Sequence, residues 1–268
     1  MFCGKLEVEI SMNQSERRRY LIGRLLDEQK NLLNVSIPSD TQEQKKLLRS
    51  LMNIRMAGAV DEGFIKAQDE YLRQVNMDKG IVSIDDMTEI QPDIYIWRGD
   101  ITRLRVGTIV NAANSGMTGC YQPCHSCIDN CIHTYAGVQL RNYCNDMMTK
   151  QGHEEPTGQA KITPAFNLPC DYVIHTVGPI VHGRLTREHE RLLESCYNSC
   201  LEAAEKNDVK SIAFCCISTG VFMFPNERAA QIAVRTVKDY KNKTQSGMKL
   251  VFNVFKEEDE QIYTRLLR

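Results

Sequence analysis

Thr108-Ile109-Val110-Asn111-Ala112-Ala113-Asn114-Ser115-Gly116, followed sixty residues on by Tyr172-Val173-Ile174-His175-Thr176-Val177, decides how this chain folds. Each is a short apolar, β-branched run, and the second has the character of a strand covered on both faces. Outward from them, residues 94–97, 161–163, 211–217 and 249–254 are further short strands. Helical patterns over 128–150, 186–206 and 258–268 separate them, with another helix opened by Pro225 at its first helical position. This alternation predicts a three-layer α/β/α sandwich around a mixed, largely parallel sheet.

Upstream the pattern is helical. Ser15 is positioned to cap a helix carrying Leu21 and Leu25, Asp40 a second with Leu47, Leu48 and Leu51, and Asp61 a third with Phe64 and Tyr71. The chain therefore divides into an N-terminal helical extension, 1–90, and a main domain, 91–268. Nothing in the extension assembles a set of catalytic residue types.

The 268 residues carry 33 Lys+Arg and 34 Asp+Glu, a formal net charge of -1, which argues against a dedicated DNA- or RNA-binding domain. With 42% apolar and 25% charged residues the composition is that of an ordinary globular protein. No apolar run approaches the ~18–20 residues that span a bilayer, and the start lacks an export signal. The expected location is the cytoplasm, where thiols stay reduced. Eleven cysteines are then a matter of chemistry and packing rather than disulfides. Cys196, Cys200, Cys215 and Cys216 fit an apolar core, whereas Cys120, Cys124, Cys127 and Cys131 crowd one short stretch together with His125 and His133.

In a sheet of this kind ligands bind outside the carboxyl ends of the parallel strands. Three loops there are small and polar: 98–101, 111–116 and 217–222. Small residues let backbone N–H groups approach an anion, and three such loops on one sheet predict a nucleotide diphosphate site. Cys120, His125 and Cys127, spaced Cys-x4-His-x-Cys around Pro123, offer two sulfurs and an imidazole to a zinc ion and leave a fourth position open. Spacing alone leaves Cys124 available as a fourth ligand, which would close the site and make it structural.

Gly99-Asp100-Ile101-Thr102, Ile109-Val110-Asn111-Ala112-Ala113-Asn114 and Ile128-Asp129-Asn130-Cys131-Ile132-His133 resemble the first half of a macrodomain, the ADP-ribose-binding module. Gly158 to Pro164, Tyr172 to Pro179 and Ile217-Ser218-Thr219-Gly220-Val221-Phe222 match its second half in order, so the likeness spans roughly 94–255. One departure is informative: the usual glycine run is replaced by Gly116 to Cys127. In this the chain resembles the zinc-dependent macrodomains of bacteria and fungi, hydrolases that remove ADP-ribose from acidic side chains and usually carry an N-terminal helical extension. Bacterial members are found beside a sirtuin that modifies a lipoyl-carrier protein, which implies a modified protein of that kind as partner.

The resemblance also implies roles and favours Cys120, His125 and Cys127 as the zinc ligands. Asp100 would accept from the adenine amino group with Ile101 beneath the ring. Asn114 would bind the distal ribose, and Ser218, Thr219, Gly220, Val221 and Phe222 would wrap the diphosphate. Phe224 would cover the proximal ribose, and Asn114 with Asp129 would orient the sugar and the attacking water. Simpler roles stand beside these: Asp100 and Asp129 as helix caps, Asn114 as a turn residue, Phe224 as core, His175 and His133 as satisfied core histidines. At the level of function the alternatives are a non-catalytic ADP-ribose reader with a structural zinc, an O-acetyl-ADP-ribose deacetylase, and, least favoured by the charge balance, a single-stranded RNA binder.

Overall fold

The computed structural model describes residues 12–29 and 35–268. Three helices come first: α1 (Gln14–Glu28), α2 (Thr41–Ile54) and α3 (Glu62–Asp78). Asp40 and Asp61 cap α2 and α3 with their carboxylates as expected, but α1 is capped by Asn13, two residues before Ser15. Asn13 accepts from the backbone N–H groups of Ser15 and Glu16, and Glu16 reaches back to the Asn13 N–H, forming a capping box. The helices bury Leu21, Leu25, Leu48, Leu51, Phe64 and Leu72 in a small core of their own. Val138 of the main domain closes that core, so the extension is packed onto its neighbour rather than tethered to it.

Strands begin before position 90: β1 (Val82–Ser83) and β2 (Glu89–Gln91) precede β3 (Ile94–Arg98), β4 (Leu104–Arg105) and β5 (Thr108–Ala113). Then follow α4 (Ile128–Ala136), α5 (Val138–Gln151), β6 (Ala160–Pro164), β7 (Tyr172–Val177), α6 (Arg187–Lys206), β8 (Ser211–Phe214), α7 (Asn226–Thr244), β9 (Lys249–Val254) and α8 (Glu257–Leu267). β1 and β4 form a small parallel pair. The main sheet has the order β2-β3-β9-β8-β5-β7-β6. Its five inner strands are parallel and both edge strands antiparallel, the mixed three-layer arrangement predicted. Among the described residues no helix is long and apolar enough to cross a membrane.

The strand expected over 211–217 ends at Phe214, and two further boundaries differ from the sequence reading for local reasons. The single helix expected over 128–150 is broken at Gly137, whose φ of 98° lies outside helical backbone. A Cβ there would also meet the Gln68 amide at 2.6 Å, so the break is the point where α3 presses on the main domain. Pro225 is the N-cap of α7 and not its first helical residue.

The strand ends place the loops together. β5, β8 and β9 lie side by side at the centre, and the chain leaves each at its carboxyl end into the segments after Ala113, Phe214 and Val254. β3 pairs with β9, so Gly99 and Asp100 emerge next to Phe255, and the Gly99 N–H donates to the Val254 carbonyl at 2.9 Å.

Candidate functional site

Asn111 lies within strand β5 and Asn114 directly follows its last residue, Asn111 buried and Asn114 exposed. Both reach Asp129 of α4: Asn111 Nδ2 donates to Asp129 Oδ1 at 2.8 Å, and Asn114 Nδ2 to Oδ2 at 3.3 Å. The Asn114 amide nitrogen also faces the Gly119 carbonyl at 3.2 Å, while its Oδ1 takes the Gly116 N–H at 3.0 Å. With the nitrogen end committed to two acceptors, the oxygen end of Asn114 is left with a lone pair for a hydroxyl donor. Cys127, not Asp129, caps α4, its sulfur taking the Asn130 N–H at 3.4 Å, which leaves the Asp129 carboxylate to the two asparagines. Burial pushes the Asp129 carboxyl up to about 6, although the Asn111 hydrogen bond and the charge of Arg141 pull the other way.

Behind Asp129 the two histidines behave differently. His175 is fully buried and satisfied: its Nδ1 accepts from Asn111 Nδ2 at 3.1 Å and its Nε2 meets Thr163 Oγ1 at 3.0 Å. Burial holds it neutral, its pKa down at about 3. His133, expected to be equally satisfied, is not: both ring nitrogens are buried without a hydrogen-bond partner among the described residues, and Nε2 stops 3.6 Å from Asp129 Oδ1. Cys144 joins these two rings within 4.8 Å, but with both His175 nitrogens already engaged the three make a poor metal set.

The loop from Gly116 to Cys127 brings the Cys120 and Cys127 sulfurs and a His125 ring nitrogen within 4.8 Å of one another. Cys120 Sγ lies 3.7 Å from His125 Nδ1. Ligands of one tetrahedral zinc would stand about 3.5–3.8 Å apart, so the donor set fits such an ion. Burial pushes the Cys127 thiol up to about 12, and the neighbouring Cys120 adds to that; a divalent cation between the two sulfurs would relieve both effects. Cys124 faces elsewhere. Its backbone is left-handed (φ 53°), its sulfur lies 3.1 Å from Ser50 Oγ and 3.4 Å from the Lys46 carbonyl, and its N–H is held by Asn53 at 2.9 Å. Cys131 lies beside Arg49, 3.5 Å from Nη2.

The loop keeps this shape because buried side chains grip its backbone. Asn130 donates to the Cys120 and Gln122 carbonyls at 3.2 and 2.9 Å. Arg49 of α2 donates to the His125 carbonyl at 2.7 Å and to Asn130 Oδ1 at 3.0 Å. Arg141 of α5 joins Thr118 to the end of α2. Gly119 sits at φ 87° with its Cα against the His133 ring, 2.7 Å from where a Cβ would stand. The sequence assigns none of these residues a role; the partners of Arg49 and Arg141 lie up to 89 positions away, and no local pattern marks them.

Across the strand ends, the segment after β8 turns tightly. Ser218 is left-handed (φ 66°), and its buried Oγ has no hydrogen-bond partner among the described residues. Thr219 and Phe224 close the turn through their N–H groups onto Cys216 and Ser218, whereas those of Gly220, Val221 and Phe222 have no partner among the described residues. Three free amides on one turn suit an anion. Phe224, expected over the proximal ribose, is buried in the main core at 1% exposure, because its N–H is drawn back to the Ser218 carbonyl. The exposed aromatic of this rim is Phe255, 76% accessible just past β9 and beside Asp100. Its sequence signal is an aromatic placed directly after the strand residues Val251-Phe252-Asn253-Val254 and before the charged run Lys256 to Glu260.

Asp100 does cap a short 3-10 turn, accepting from Thr102 N and Oγ1 at 3.0 and 2.7 Å through one oxygen. The other oxygen pairs with Lys79 at the end of α3 at 2.7 Å. Burial works to raise its carboxyl, but the Lys79 ammonium outweighs that and holds it below the usual carboxylate range. One lone pair on that second oxygen remains for a further donor. Ile101, 4% exposed, belongs to the core under this corner.

Known proteins resemble the chain over this region and beyond it. The Macro domain family profile matches residues 110–233. A Treponema medium protein named protein-ADP-ribose hydrolase is 59% identical over 260 residues, covering 96% of this chain and 100% of its own. A Staphylococcus aureus (strain MSSA476) protein of the same name is 43% identical over 96% of this chain and 97% of its own. Among solved structures, the Oceanobacillus iheyensis macrodomain with ADP is 36% identical with a TM-score of 0.60, covering 68% of this chain and 93% of that one. In sequence, in strand order and in the loops gathered at the strand ends, the chain belongs to the macrodomain family.

Proposed function

We propose that this protein is a zinc-dependent ADP-ribosyl hydrolase that removes mono-ADP-ribose from Asp and Glu side chains of modified proteins in the cytoplasm. The observation that carries the reading is that one loop gathers the Cys120, His125 and Cys127 donors and runs between Asn114 and Asp129, whose side chains hydrogen-bond to each other across its two ends. The relatives named for protein-ADP-ribose hydrolysis over nearly their full length support the reaction class. A lipoyl-carrier protein modified by a sirtuin-type transferase is the partner we favour.

Each part of ADP-ribose has a matching surface. Phe255 offers its face to the adenine ring, and Asp100 accepts one N–H of the adenine amino group on its remaining lone pair. The N–H groups of Gly220, Val221 and Phe222 take the diphosphate, with Ser218 and Thr219 shaping the turn that presents them. Asn114 accepts a hydroxyl of the distal ribose on Oδ1, because Asp129 and Gly119 hold its nitrogen end.

Cys120, His125 and Cys127 would hold the zinc, which when bound supplies a Lewis acid with an open coordination position. The turn of Cys124 toward Ser50 and Lys46 supports that open position, since a fourth sulfur would close it. The bond to be broken joins the ribose anomeric carbon to a carboxylate, a good leaving group, so a water held in line needs modest help. Asp129 orients Asn114 and the water, and its carboxyl near 6 sits where it can share a proton at neutral pH.

The test is release of ADP-ribose from a protein mono-ADP-ribosylated on Glu, before and after verified metal removal. Loss of turnover on chelation and recovery with zinc are expected. Undiminished turnover in metal-free protein would remove zinc from the reaction.

A further inference from the structure

Between the extension and α4 lies a cavity of ≈ 500 Å³, within the range of binding sites. Its charged lining is one-sided: Lys45, Lys46, Arg49 and Lys79 against the single carboxylate of Asp78. The whole chain is balanced at 33 basic and 34 acidic residues, so this excess is local. Lys79 is committed to Asp100 and Thr102. Lys45 and Lys46 are exposed and have no ion-pair partner among the described residues, and the buried Arg49 Nε is without a hydrogen-bond partner. Cations left unpaired on a concave wall attract carboxylates and speed their approach.

The cavity touches the reaction centre through two residues. Cys124 lines it, and one peptide unit, about 3.8 Å, separates Cys124 from His125. Arg49 lines it too, and the same guanidinium holds the His125 carbonyl. A polypeptide whose ADP-ribosylated side chain enters beside Asn114 would therefore pass over α2 within a few residues.

We propose that this cavity receives an acidic segment of the modified protein flanking the ADP-ribosylated residue, making the N-terminal extension the part that selects the protein substrate. The proposal rests on the hydrolase reading, in which the modified residue is itself Asp or Glu. The cavity's hydrophobic floor, from Leu48, Leu72 and Val75, suits a peptide backbone with its side chains better than a free anion.

The experiment compares wild type with the double variant Lys45→Glu/Lys46→Glu, two exposed positions that make no catalytic contact. Binding and steady-state kinetics use a protein mono-ADP-ribosylated on Glu; calorimetry uses free ADP-ribose. The expected result at low ionic strength is a rise of about tenfold in Kd and KM for the modified protein, with kcat and ADP-ribose affinity unchanged. The wild-type KM should also climb with salt more steeply than that of the variant. Unchanged Kd for the modified protein would overturn the proposal. So would an equal loss of ADP-ribose affinity, which would put these lysines in the nucleotide site, or a wild-type dimer that the variant dissolves. A wild type that releases no ADP-ribose would sink the hydrolase reading, while the ratio of the two Kd values would still decide the cavity.

Discussion

Arg141 is the residue whose loss should do the most damage per atom removed. It is 5% exposed and carries a charge that no carboxylate among the described residues meets in a hydrogen bond. Its Nε donates to the Thr118 carbonyl at 2.8 Å, and its Nη1 to the carbonyls of Met52 and Asn53 at 3.1 and 2.9 Å and to that of Arg55. Its guanidinium also lies 4.3 Å from the centre of the Tyr121 ring. Arg141→Met keeps the length of the stem and removes every donor. Hydrogen bonds from a charged group are worth about 1.5–3 kcal/mol each, and stranded buried carbonyls cost about 1–3 kcal/mol. The bonds share hydrogens, and burial already works against the guanidinium charge, so the sum is well below additive. A loss of about 3 kcal/mol follows, which in a chain of this size lowers Tm by roughly 6–12 °C. Because the bonds tie the end of α2 to the metal loop, limited proteolysis should also open the 55–60 linker, and zinc retention should fall. Thermal and urea unfolding of wild type and variant measure the difference. A loss under about 1 kcal/mol would refute the view that this one guanidinium joins extension, α5 and loop.

The other predictions concern the site and its pH dependence. Cys127→Ser should abolish zinc binding and turnover, whereas Cys124→Ser should leave both within about twofold, read by elemental analysis and ADP-ribose release; the reverse pattern would contradict the ligand assignment. Phe255→Ala should weaken ADP-ribose binding by about 1–3 kcal/mol in calorimetry, the range for stacking one base on an aromatic, and Phe224→Leu should leave it nearly unchanged. His175 is held neutral at about 3 against an ordinary 6.5, so its contribution is intact above pH 6.5 and is lost as the pH falls toward 3. Stability should therefore drop by up to ~1.4 kcal/mol per pH unit for this proton. His175→Gln, which can both accept from Asn111 and donate to Thr163, should flatten that acid limb; an unchanged slope would show that His175 does not carry it.

What the sequence made legible follows the reach of each signal. The β-branched run 172–177 and the caps Asp40 and Asp61 act through immediate neighbours, and the strands and helices stand where those neighbours put them. The loop clustering was equally readable, since parallel strands deliver their carboxyl ends to one edge. Gly137 was passed over because a glycine inside a helical pattern is often tolerated, and only the approach of Gln68 from α3 makes this one a break. Phe224 has two readings in sequence, ribose cover or core, and the core position goes with a turn closed by one backbone hydrogen bond to Ser218. Cys124 could not be separated from its neighbours by spacing, because what turns it away is Ser50 and Lys46, more than seventy residues earlier. Arg49 and Arg141 share that property: polar residues on helices, ordinary in sequence, become the frame of the loop through long-range contacts with backbone carbonyls.

Crystallography of the zinc-loaded protein, with anomalous scattering collected on both sides of the zinc edge, tests the central claim most directly. The account predicts one zinc bound by Cys120, His125 and Cys127, with no fourth ligand from the protein and the open side toward Asn114. Zinc absent from this loop, or the Cys124 sulfur completing its coordination, would contradict it.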